Sequence, residues 1–410
     1  MGEEDVPQSQ IRNFSDDEVR VYNSDVSDLY GDWETPTTIV SDGAYGTGSF
    51  PGEPEEAENI PEWYEPHIKA WSESATPETT LWFWNTEEGW AEVHPLLKKH
   101  GWEYRGCNIW DKGMSHIAGN SNTKKLRKFP QVTEVCVQYV KKPEFTSQET
   151  GEVMDMQEWV ISEWDRTGLT RQDANDACGV ADAASRKYLT KGNLWYYPPA
   201  ERMEAMVEYA NEHGDPDGKP YFTVDGEPVT AEKWEQMRAK FDCPPGVTNV
   251  WSKGQLNGEE RITDSGKASH LNQKPLKFMR RIIKATTDVG DVVWEPFGGL
   301  CTGAAASMEL DRKCRTAEIV DEYYETAVQR LEKVEMQIKR GATESRPKLQ
   351  NAESVYEFEK AVDKLESIVD EKPIDSEVAD SERIGDVIDK LEKIQRKVEN
   401  DDQQADLQSF

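Results

Sequence analysis

The sequence predicts an α/β fold with a doubly wound sheet, and three features of residues 291–320 lead to this prediction. Residues 292–294 are typical of a short buried strand, which a Gly-rich turn and an Ala-rich helix at 304–310 follow. A second strand is expected at 315–320, with Glu318 near its end. This order, with an acidic residue about 20 positions past the turn, is the layout of a nucleoside-binding sheet. The glycines let a ligand approach the backbone, and the carboxylate can accept both hydroxyls of a ribose.

Candidate strands and helices also alternate along the N-terminal third of the chain. The expected strands are 37–40, 79–84, 102–110 and 132–140, and the expected helices are 62–71 and 87–100. Such alternation favours a mainly parallel sheet. The chain has 410 residues, 36% of them hydrophobic and 14 of them Trp, so it can bury a sizeable core.

A six-residue motif precedes the Gly-rich turn. His270-Leu271-Asn272-Gln273-Lys274-Pro275 leads into a run with Leu276, Met279, Ile282 and Ile283 at helical spacing. Pro275 suits the first helical turn, where its missing N–H is not needed. The pattern predicts a short amphipathic helix.

Together these segments resemble the cofactor-binding half of the DNA amino-methyltransferases, which methylate N6 of adenine or N4 of cytosine with S-adenosyl-L-methionine (AdoMet). The shared pattern is HxxQKP, a helix, and (D/E)PFxG followed by an acidic residue and a tyrosine. The resemblance implies a Rossmann-like AdoMet-dependent methyltransferase fold, with Glu318 on the ribose. It implies that AdoMet contacts Lys274, Pro275, Glu295, Pro296, Phe297, Gly298, Gly299 and Glu318. Two departures are Glu295 for the usual Asp, and Leu300-Cys301-Thr302-Gly303 for Ser-Gly-Thr-Thr.

The candidate catalytic segment is Asp42-Gly43-Ala44-Tyr45, directly after the first expected strand. Asp-Gly by itself is a common turn. The family places its catalytic D-P-P-Y at the end of such a strand, and here Gly43 and Ala44 replace the two prolines. The resemblance implies that Asp42 and a neighbouring carbonyl orient the target amine, a poor nucleophile because its lone pair is conjugated with the ring. It implies that Tyr45 stacks on a flipped base, and the Asp favours adenine over cytosine.

The resemblance covers roughly residues 20–335, in the order that the family calls β. It predicts a catalytic half at 1–144, an inserted target-recognition region at 145–250 and an AdoMet-binding half at 251–340. The shift in composition beyond Gly341 indicates an acidic helical tail at 341–410. Within the insertion, 170–189 has the spacing of a helix-turn-helix, although an ordinary helical hairpin is an equal alternative.

The net charge of −31 conflicts with DNA binding, because a DNA-binding protein should attract phosphates. Either the protein does not bind DNA, or it works in very high salt, where charges are screened. Residues 1–66 hold 17 acidic residues and two basic ones, whereas 98–128 hold eight basic and two acidic ones. Residues 250–285 are also basic. This distribution favours the second interpretation, and a halophilic archaeon or its virus as the source.

Double-stranded DNA is the expected partner, and the candidate contacts are cationic side chains in two places. A long polar loop at 112–130 either is a solvated surface or closes over DNA near the flipped base. The candidates are Lys112, Lys124, Lys125, Arg127 and Lys128 in the loop, and Arg186 and Lys187 in the insertion. The sequence does not determine whether a restriction enzyme is also a partner.

Several protein classes are disfavoured. No run of about 18 apolar residues predicts a membrane span, and the N-terminus lacks the regions of a signal peptide. The six cysteines are scattered without a CxxC pair, so neither a metal site nor a disulfide framework is expected. A cytoplasmic protein is the prediction.

The tail contains two short heptad runs, around 355–369 and 384–398, which either pack as a hairpin on their own chain or form a homodimer. Taken together, the sequence favours a site-specific DNA methyltransferase, with adenine N6 preferred over cytosine N4. The alternatives are an AdoMet-dependent methyltransferase acting on RNA or a small molecule, and a catalytically decayed DNA-binding or decoy protein.

Overall fold

The computed structural model describes residues 6–343, except 8–9, 49, 51, 114–126, 128, 149, 244–245, 255, 257–260, 265–266 and 269–271. The expected roles of Lys124, Lys125 and Lys128, the start of the HxxQKP motif at His270 and Leu271, and the tail helices therefore lie outside the described residues.

The described strands alternate with helices along the chain, apart from several short hairpins. The strands are β1 (Ile11–Phe14), β2 (Val19–Tyr22), β3 (Thr38–Ser41), β4 (Thr80–Asn85), β5 (Trp102–Asp111), β6 (Thr133–Lys141), β7 (Phe145–Thr146), β8 (Val153–Met154), β9 (Thr223–Val224), β10 (Glu227–Pro228), β11 (Val250–Ser252), β12 (Thr263–Asp264), β13 (Lys267–Ala268), β14 (Val292–Glu295) and β15 (Lys313–Ala317). The α-helices are α1 (Ile60–Ser74), α2 (Glu87–Lys99), α3 (Met156–Arg166), α4 (Arg171–Ala177), α5 (Ala200–His213), α6 (Ala231–Glu235), α7 (Leu276–Thr286), α8 (Thr302–Glu309) and α9 (Asp321–Thr343).

Within this described part, nine strands form one sheet in the order β1-β2-β15-β14-β3-β4-β6-β5-β11. Strands β2, β15, β14, β3 and β4 are mutually parallel neighbours. Strand β6 instead runs antiparallel to both β4 and β5, so the segment at 132–140 closes a hairpin and is not a further parallel strand. The fold is therefore the expected α/β class, with a mixed sheet.

The chain leaves β3 and β14 in opposite directions across the sheet. Strand β3 leads to its neighbour β4, and β14 leads to β15 on the other side. A crevice forms at the carboxyl ends of two parallel strands where the strand order reverses in this way, and ligands of open α/β sheets bind there. The topology thus places Asp42, directly after β3, and Glu295, the last residue of β14, beside one crevice.

Alternate residues of the central strands enter two separate cores, as the period of two for a strand requires. Val40 and Val293 face the layer that contains α7, α8 and α9. Ile39 and Trp294 face the layer that contains α1 and α2. Both faces of the sheet are therefore covered, which is why these strands read as continuous apolar runs.

The region 145–250 contains a third core, whose buried residues all come from positions 145 to 237. Two helical elements occur where a helix-turn-helix or a helical hairpin was expected, and the choice between the two stays a prediction. Helix α4 is capped by Thr170 and ends at Ala177, but only a five-residue π-helix, Ala184–Tyr188, follows it. This element spans barely one turn, and Ala184 and the following Leu189 are buried in the third core.

Candidate active site

A cavity of about 360 Å³ lies at the crevice between β3 and β14. Its lining comes from the turns that follow these two strands, from α1, from the start of α7 and from the segment after β15. The expected catalytic residues Asp42, Gly43, Ala44 and Tyr45 and the expected cofactor-binding residues Lys274, Glu295, Pro296, Phe297, Gly298, Gly299 and Glu318 all line it. Pro275 is the expected residue that does not line the cavity; it is the N-cap of α7.

The turn at Asp42 passes over two aromatic side chains. A Cβ atom added to Gly43 would lie 2.7 Å from Phe297 Cδ2 and 2.7 Å from the Tyr64 hydroxyl. Because no real Cβ approaches so closely, this position excludes the proline that the family pattern would place there. Gly43 is therefore the residue that fits here without a shift of Phe297 or Tyr64.

Two side chains hold the turn that prolines would otherwise stiffen. Asn85, at the end of β4, donates its Nδ2–H to the Ala44 carbonyl at 2.8 Å. The Tyr45 backbone N–H donates to the Glu53 carboxylate, which the Thr47 hydroxyl also contacts at 3.2 Å. The backbone of the turn is thus constrained from both sides by hydrogen bonds.

Asp42 forms a buried ion pair with Lys274, whose Nζ lies 2.8 Å from Asp42 Oδ1. The Tyr45 hydroxyl donates to the same carboxylate oxygen at 2.9 Å. Burial raises the pKa of Asp42 above its ordinary value, although the Lys274 ammonium and the Tyr45 hydroxyl each lower it. Burial would lower the pKa of Lys274, but the carboxylates of Asp42 and Glu134 outweigh it and raise that pKa.

Tyr45 is buried, with 6% of its surface exposed. The Lys274 ammonium lies 5.0 Å from the centroid of its ring. Its hydroxyl also lies 3.4 Å from Glu134 Oε2. The resemblance did not imply these contacts of the Tyr45 hydroxyl with Asp42 and Glu134. Stacking of the Tyr45 ring on a flipped base stays a prediction.

Glu295 and Glu318 each accept backbone N–H groups. The two oxygens of Glu295 accept from Gly303 N (2.7 Å) and Ala304 N (2.9 Å), at the start of α8. Burial raises the pKa of Glu295 to about 8, although these two hydrogen bonds lower it. Glu318 lies one residue past β15 and accepts from Gly299 N at 2.7 Å and Val320 N at 2.8 Å.

The turn after β14 contains one residue, Cys301, in a strained backbone conformation. Cys301 stands where the family pattern has glycine, and it adopts left-handed backbone angles of φ 51° and ψ 51°. Glycine reaches this region freely, whereas an L side chain pays roughly 1–2 kcal/mol. The Cys301 side chain is fully buried, so packing offsets part of this strain.

An aromatic wall closes the middle of the cavity. The Phe297 ring centroid lies 5.0 Å from those of Trp63 and His67, both on α1. Burial lowers the pKa of His67 to about 4, and its Nδ1 lies 3.0 Å from the Tyr30 hydroxyl. The wall is therefore uncharged at neutral pH and offers apolar ring faces to a ligand.

The lining fits a nucleoside cofactor such as AdoMet. The volume lies in the range of small-molecule sites, roughly 300–1,000 Å³. Glu318 accepts backbone N–H groups, and because a carboxylate has about four lone-pair sites it keeps acceptor capacity for a ribose hydroxyl. The Phe297 wall suits a base, and Asp42 lies in the same cavity.

The DNA-contact candidates fall into different environments. Lys112 was expected in the basic loop, but its ammonium lies in a buried ion pair with Glu134, and only 9% of the residue is exposed. That expectation is wrong, because a cation enclosed in this way offers no surface to phosphates. Arg186 is exposed and pairs with Asp182 at 2.9 Å, and Lys187 lies over the exposed Tyr196 ring. Arg127 is also exposed.

Sequence reasoning missed Glu134, Asn85, Trp63 and His67. The first lies within a strand, the second at a strand end and the last two on a helix, and none of them belongs to the motifs that were recognised. A single signal was available for Glu134: it is the one carboxylate in a strand, Thr133–Lys141, that is mostly apolar after it. Only the sheet order shows that it faces Asp42.

The fold and the site together define a class, the Rossmann-like, nucleoside-binding α/β proteins. Its features here are a crevice where the strand order reverses, an acidic turn at one end of it and a carboxylate suited to a ribose at the other. Comparison with known families is more specific. The family model described as "DNA methylase" matches residues 37–329, which is most of the chain. The chain belongs to this N6/N4 DNA methylase family.

Individual relatives match over shorter segments. The type II methyltransferase M.HinfI of Haemophilus influenzae is 34% identical over 87 residues, which are 21% of this chain and 24% of that protein. The DNA adenine methyltransferase YhdJ of Escherichia coli K12 is 38% identical over 127 residues, 28% of this chain and 42% of that protein. The chain thus matches less than half of the length of either relative.

Solved structures align over more of the chain at lower identity. The M1.HpyAVI–SAM complex is 17% identical with a TM-score of 0.39, covering 76% of this chain and 98% of the other. The cytosine-N4-specific PvuII DNA methyltransferase is 10% identical with a TM-score of 0.41, covering 78% and 92%.

Proposed function

We propose that this protein transfers a methyl group from AdoMet to the exocyclic amine of a base that has been flipped out of double-stranded DNA. The proposal rests on one observation: Asp42, from the expected catalytic half, and Glu318, from the expected AdoMet-binding half, line the same cavity. Family membership supports the same reaction class. Bound AdoMet supplies an electrophilic methyl group.

The chain's own residues would orient the nucleophile. Asp42 can accept one N–H of the amine, and a backbone carbonyl of the turn can accept the other, which favours a nitrogen lone pair directed at the methyl group. Lys274 and Tyr45 keep the Asp42 carboxylate in place by contacts of 2.8 and 2.9 Å. The negative charge of Asp42 would stabilise the amine as it becomes positive in the transition state.

Adenine N6 is the proposed target, with cytosine N4 as the second candidate. The acidic first residue of the turn supports adenine, and one relative carries the name of an adenine methyltransferase. Target recognition is proposed for the region 145–250, which has its own core and the exposed cations Arg186 and Lys187.

A direct test is transfer of radiolabelled methyl groups from AdoMet to duplex DNA, to RNA of the same sequence, and to small-molecule amines, in low and molar salt. We expect labelling of duplex DNA, followed by recovery of N6-methyladenine after digestion to nucleosides. Labelled N4-methylcytosine would reverse the base assignment. Label in RNA alone, or no transfer by protein that binds AdoMet, would contradict the proposed function.

Asp42→Asn provides the matched control in that assay. It keeps an oxygen acceptor but loses the charge, so it should retain part of the rate, whereas Asp42→Ala should lower the rate by roughly 10²–10³. A wild-type single-turnover rate in folded Asp42→Ala protein would remove this residue from the site.

A further inference from the structure

Four charged side chains alternate in sign beneath the catalytic turn. Lys112 pairs with Glu134, whose Oε2 lies 3.4 Å from Lys274 Nζ, and Lys274 in turn pairs with Asp42 at 2.8 Å. The exposed fractions of these side chains are 11%, 9%, 1% and 18%, in that order. The cluster is neutral overall, and two of its members, Lys112 and Glu134, have no role in the proposed chemistry.

The ammonium of Lys274 has three polar contacts, and Glu134 provides one of them. The others are Asp42 Oδ1 and the Asn272 carbonyl, at 2.8 and 3.1 Å. An ammonium has three N–H donors, so these acceptors satisfy all of them. Because a lysine stem is long and has many rotamers, the acceptors determine where its charge lies.

Glu134 is itself fixed by the sheet. It lies near the start of β6, paired in register with Trp110 of β5. Lys112 follows β5 directly, and its backbone N–H donates to the Val132 carbonyl at 2.9 Å. Its ammonium also lies 4.8 Å from the centroid of the Trp110 ring. The carboxylate of Glu134 is thus held by a cation on the neighbouring strand.

We propose that Glu134 is a positioning residue that holds the Lys274 ammonium against the Asp42 carboxylate, and that Lys112 fixes Glu134 for this purpose. The inference rests on the proposed function of Asp42. Burial favours the neutral acid and the Lys274 ammonium favours the carboxylate, so the place of Lys274 decides whether Asp42 stays ionised. Glu134 would act only through Lys274 and Tyr45, without touching the substrate.

Several groups on different elements face Asp42 and enter its titration. They are Lys274 before α7, Tyr45 in the turn and Glu134 on β6, with Lys112, Tyr64, Cys136, Glu53 and Glu295 farther out. Lys274 lowers the pKa of Asp42 and Glu134 raises it. A variant that removes only the charge of Glu134 should therefore lower the pKa of Asp42. A variant that also releases Lys274 from Asp42 should raise it.

The experiment compares Glu134→Gln with Glu134→Ala. The amide keeps an oxygen acceptor for Lys274 but removes a negative charge, so the acidic limb of the single-turnover pH–rate profile should move to lower pH. Alanine removes the acceptor, so Lys274 should leave Asp42 and the limb should move to higher pH. At pH 7 the rate of Glu134→Ala should fall roughly ten- to a hundredfold, because misplaced catalytic groups cost this much, and Glu134→Gln should restore most of it.

A second readout does not depend on catalysis. The carboxyl resonance of Asp42 in ¹³C-Asp-labelled protein, assigned by its loss in Asp42→Asn, reports the same pKa directly. If wild-type protein transfers no methyl group, the proposed function fails, whereas opposite shifts of this resonance in the two variants still support the positioning role. Shifts in the same direction, or no shift in either variant, overturn it.

Two further variants separate positioning from loss of stability. Glu163→Gln removes another buried glutamate, which pairs with Arg166 at 2.8 Å in the third core, and it should lower stability without moving the Asp42 titration. Should the stranded Lys112 ammonium unfold Glu134→Ala, the double variant Lys112→Met, Glu134→Ala removes that charge and should show the same upward shift.

Discussion

At the scale of single residues, the catalytic turn shows how neighbours decide which side chain a position accepts. Gly43 lies against the rigid Phe297 ring, so it cannot carry even a methyl group without displacement. The stiffness that prolines would provide comes instead from Asn85 and Glu53. A motif that reads as degenerate in sequence is thus consistent with a well-held turn.

Gly43→Ala should destabilise the protein by about 1–3 kcal/mol, the usual cost of overpacking a close-packed site. Its Cβ must displace Phe297 or Tyr64, so AdoMet affinity should fall as well. Urea unfolding and calorimetric titration measure the two effects. Gly31→Ala is the control, because a Cβ there meets nothing within 4 Å. Equal stability of the two variants would contradict the packing argument.

Tyr45→Phe should affect the rate mainly at low pH. The Tyr45 hydroxyl lowers the pKa of Asp42, so its removal should raise that pKa and move the acidic limb of the pH–rate profile to higher pH. Well above this limb the variant should approach the wild-type rate, because the ring remains. A uniform loss at every pH would assign the hydroxyl another role.

At the scale of elements, the start of α8 depends on a carboxyl group from the preceding strand. Glu295 accepts the N–H groups of Gly303 and Ala304, which no residue within the helix can satisfy. Gly303 is needed beside it, since a Cβ at this position would lie 2.8 Å from the carboxyl carbon. Strand β14 and helix α8 are therefore joined by a buried polar contact as well as by apolar packing.

The Glu295 carboxyl predicts a pH dependence of stability. Its pKa is raised from the ordinary 4.5 to about 8 in the folded protein. The folded state therefore keeps its proton where the unfolded state has lost it, so this group's contribution is greatest below pH 4.5 and is lost as pH rises toward 8. Glu295→Gln should flatten this part of the unfolding free energy profile, measured by urea titration from pH 5 to 8. An unchanged slope would show that Glu295 is ionised in the folded protein.

The insertion's exposed cations provide a test of target binding. Arg186→Ala combined with Lys187→Ala should weaken binding to duplex DNA and reduce its salt dependence, while leaving AdoMet affinity unchanged, because phosphate contacts carry no information about the cofactor. Fluorescence anisotropy at several salt concentrations measures the first effect. Lys69→Ala combined with Lys339→Ala removes two exposed cations, each paired with a glutamate four residues away in the sequence, and is the matched control. Equal losses in both variants would indicate a nonspecific charge effect.

At the scale of the whole molecule, the net charge of −31 predicts that salt stabilises the fold. Self-repulsion of a highly charged chain opposes compaction, and added ions screen it. Urea unfolding in KCl should show the steepest gain in stability below about 0.5 M, since the Debye length is already only about 3 Å at 1 M. A gain that is instead linear up to several molar would reflect a general salt effect on hydrophobic burial.

Two further features concern the described part of the molecule as a whole, namely membrane-spanning helices and metal sites. No helix of the described residues is long and apolar enough to cross a bilayer. Among the same residues, no group of three or more His, Cys, Asp and Glu side chains could hold a metal ion.

Local patterns determined the fold class, most strand and helix positions, and the two motif segments. Residues 292–294, for example, are apolar, and a Gly-rich turn follows Glu295; both signals depend only on residues close in sequence. The family resemblance implied roles for Asp42 and Glu318 in one enzyme, and the cavity that both residues line is seen in the structure.

Only the tertiary structure decided which distant side chains meet at this site. Glu134 reaches Lys274 because the antiparallel β6 lies between β4 and β5, and this order depends on pairings between segments far apart in the chain. Lys112, read as a surface cation, is buried for the same reason. A sequence pattern shows the period of one helix or strand. Burial and charge pairing of a side chain depend on which other elements pack against it, and only the assembled sheet shows this.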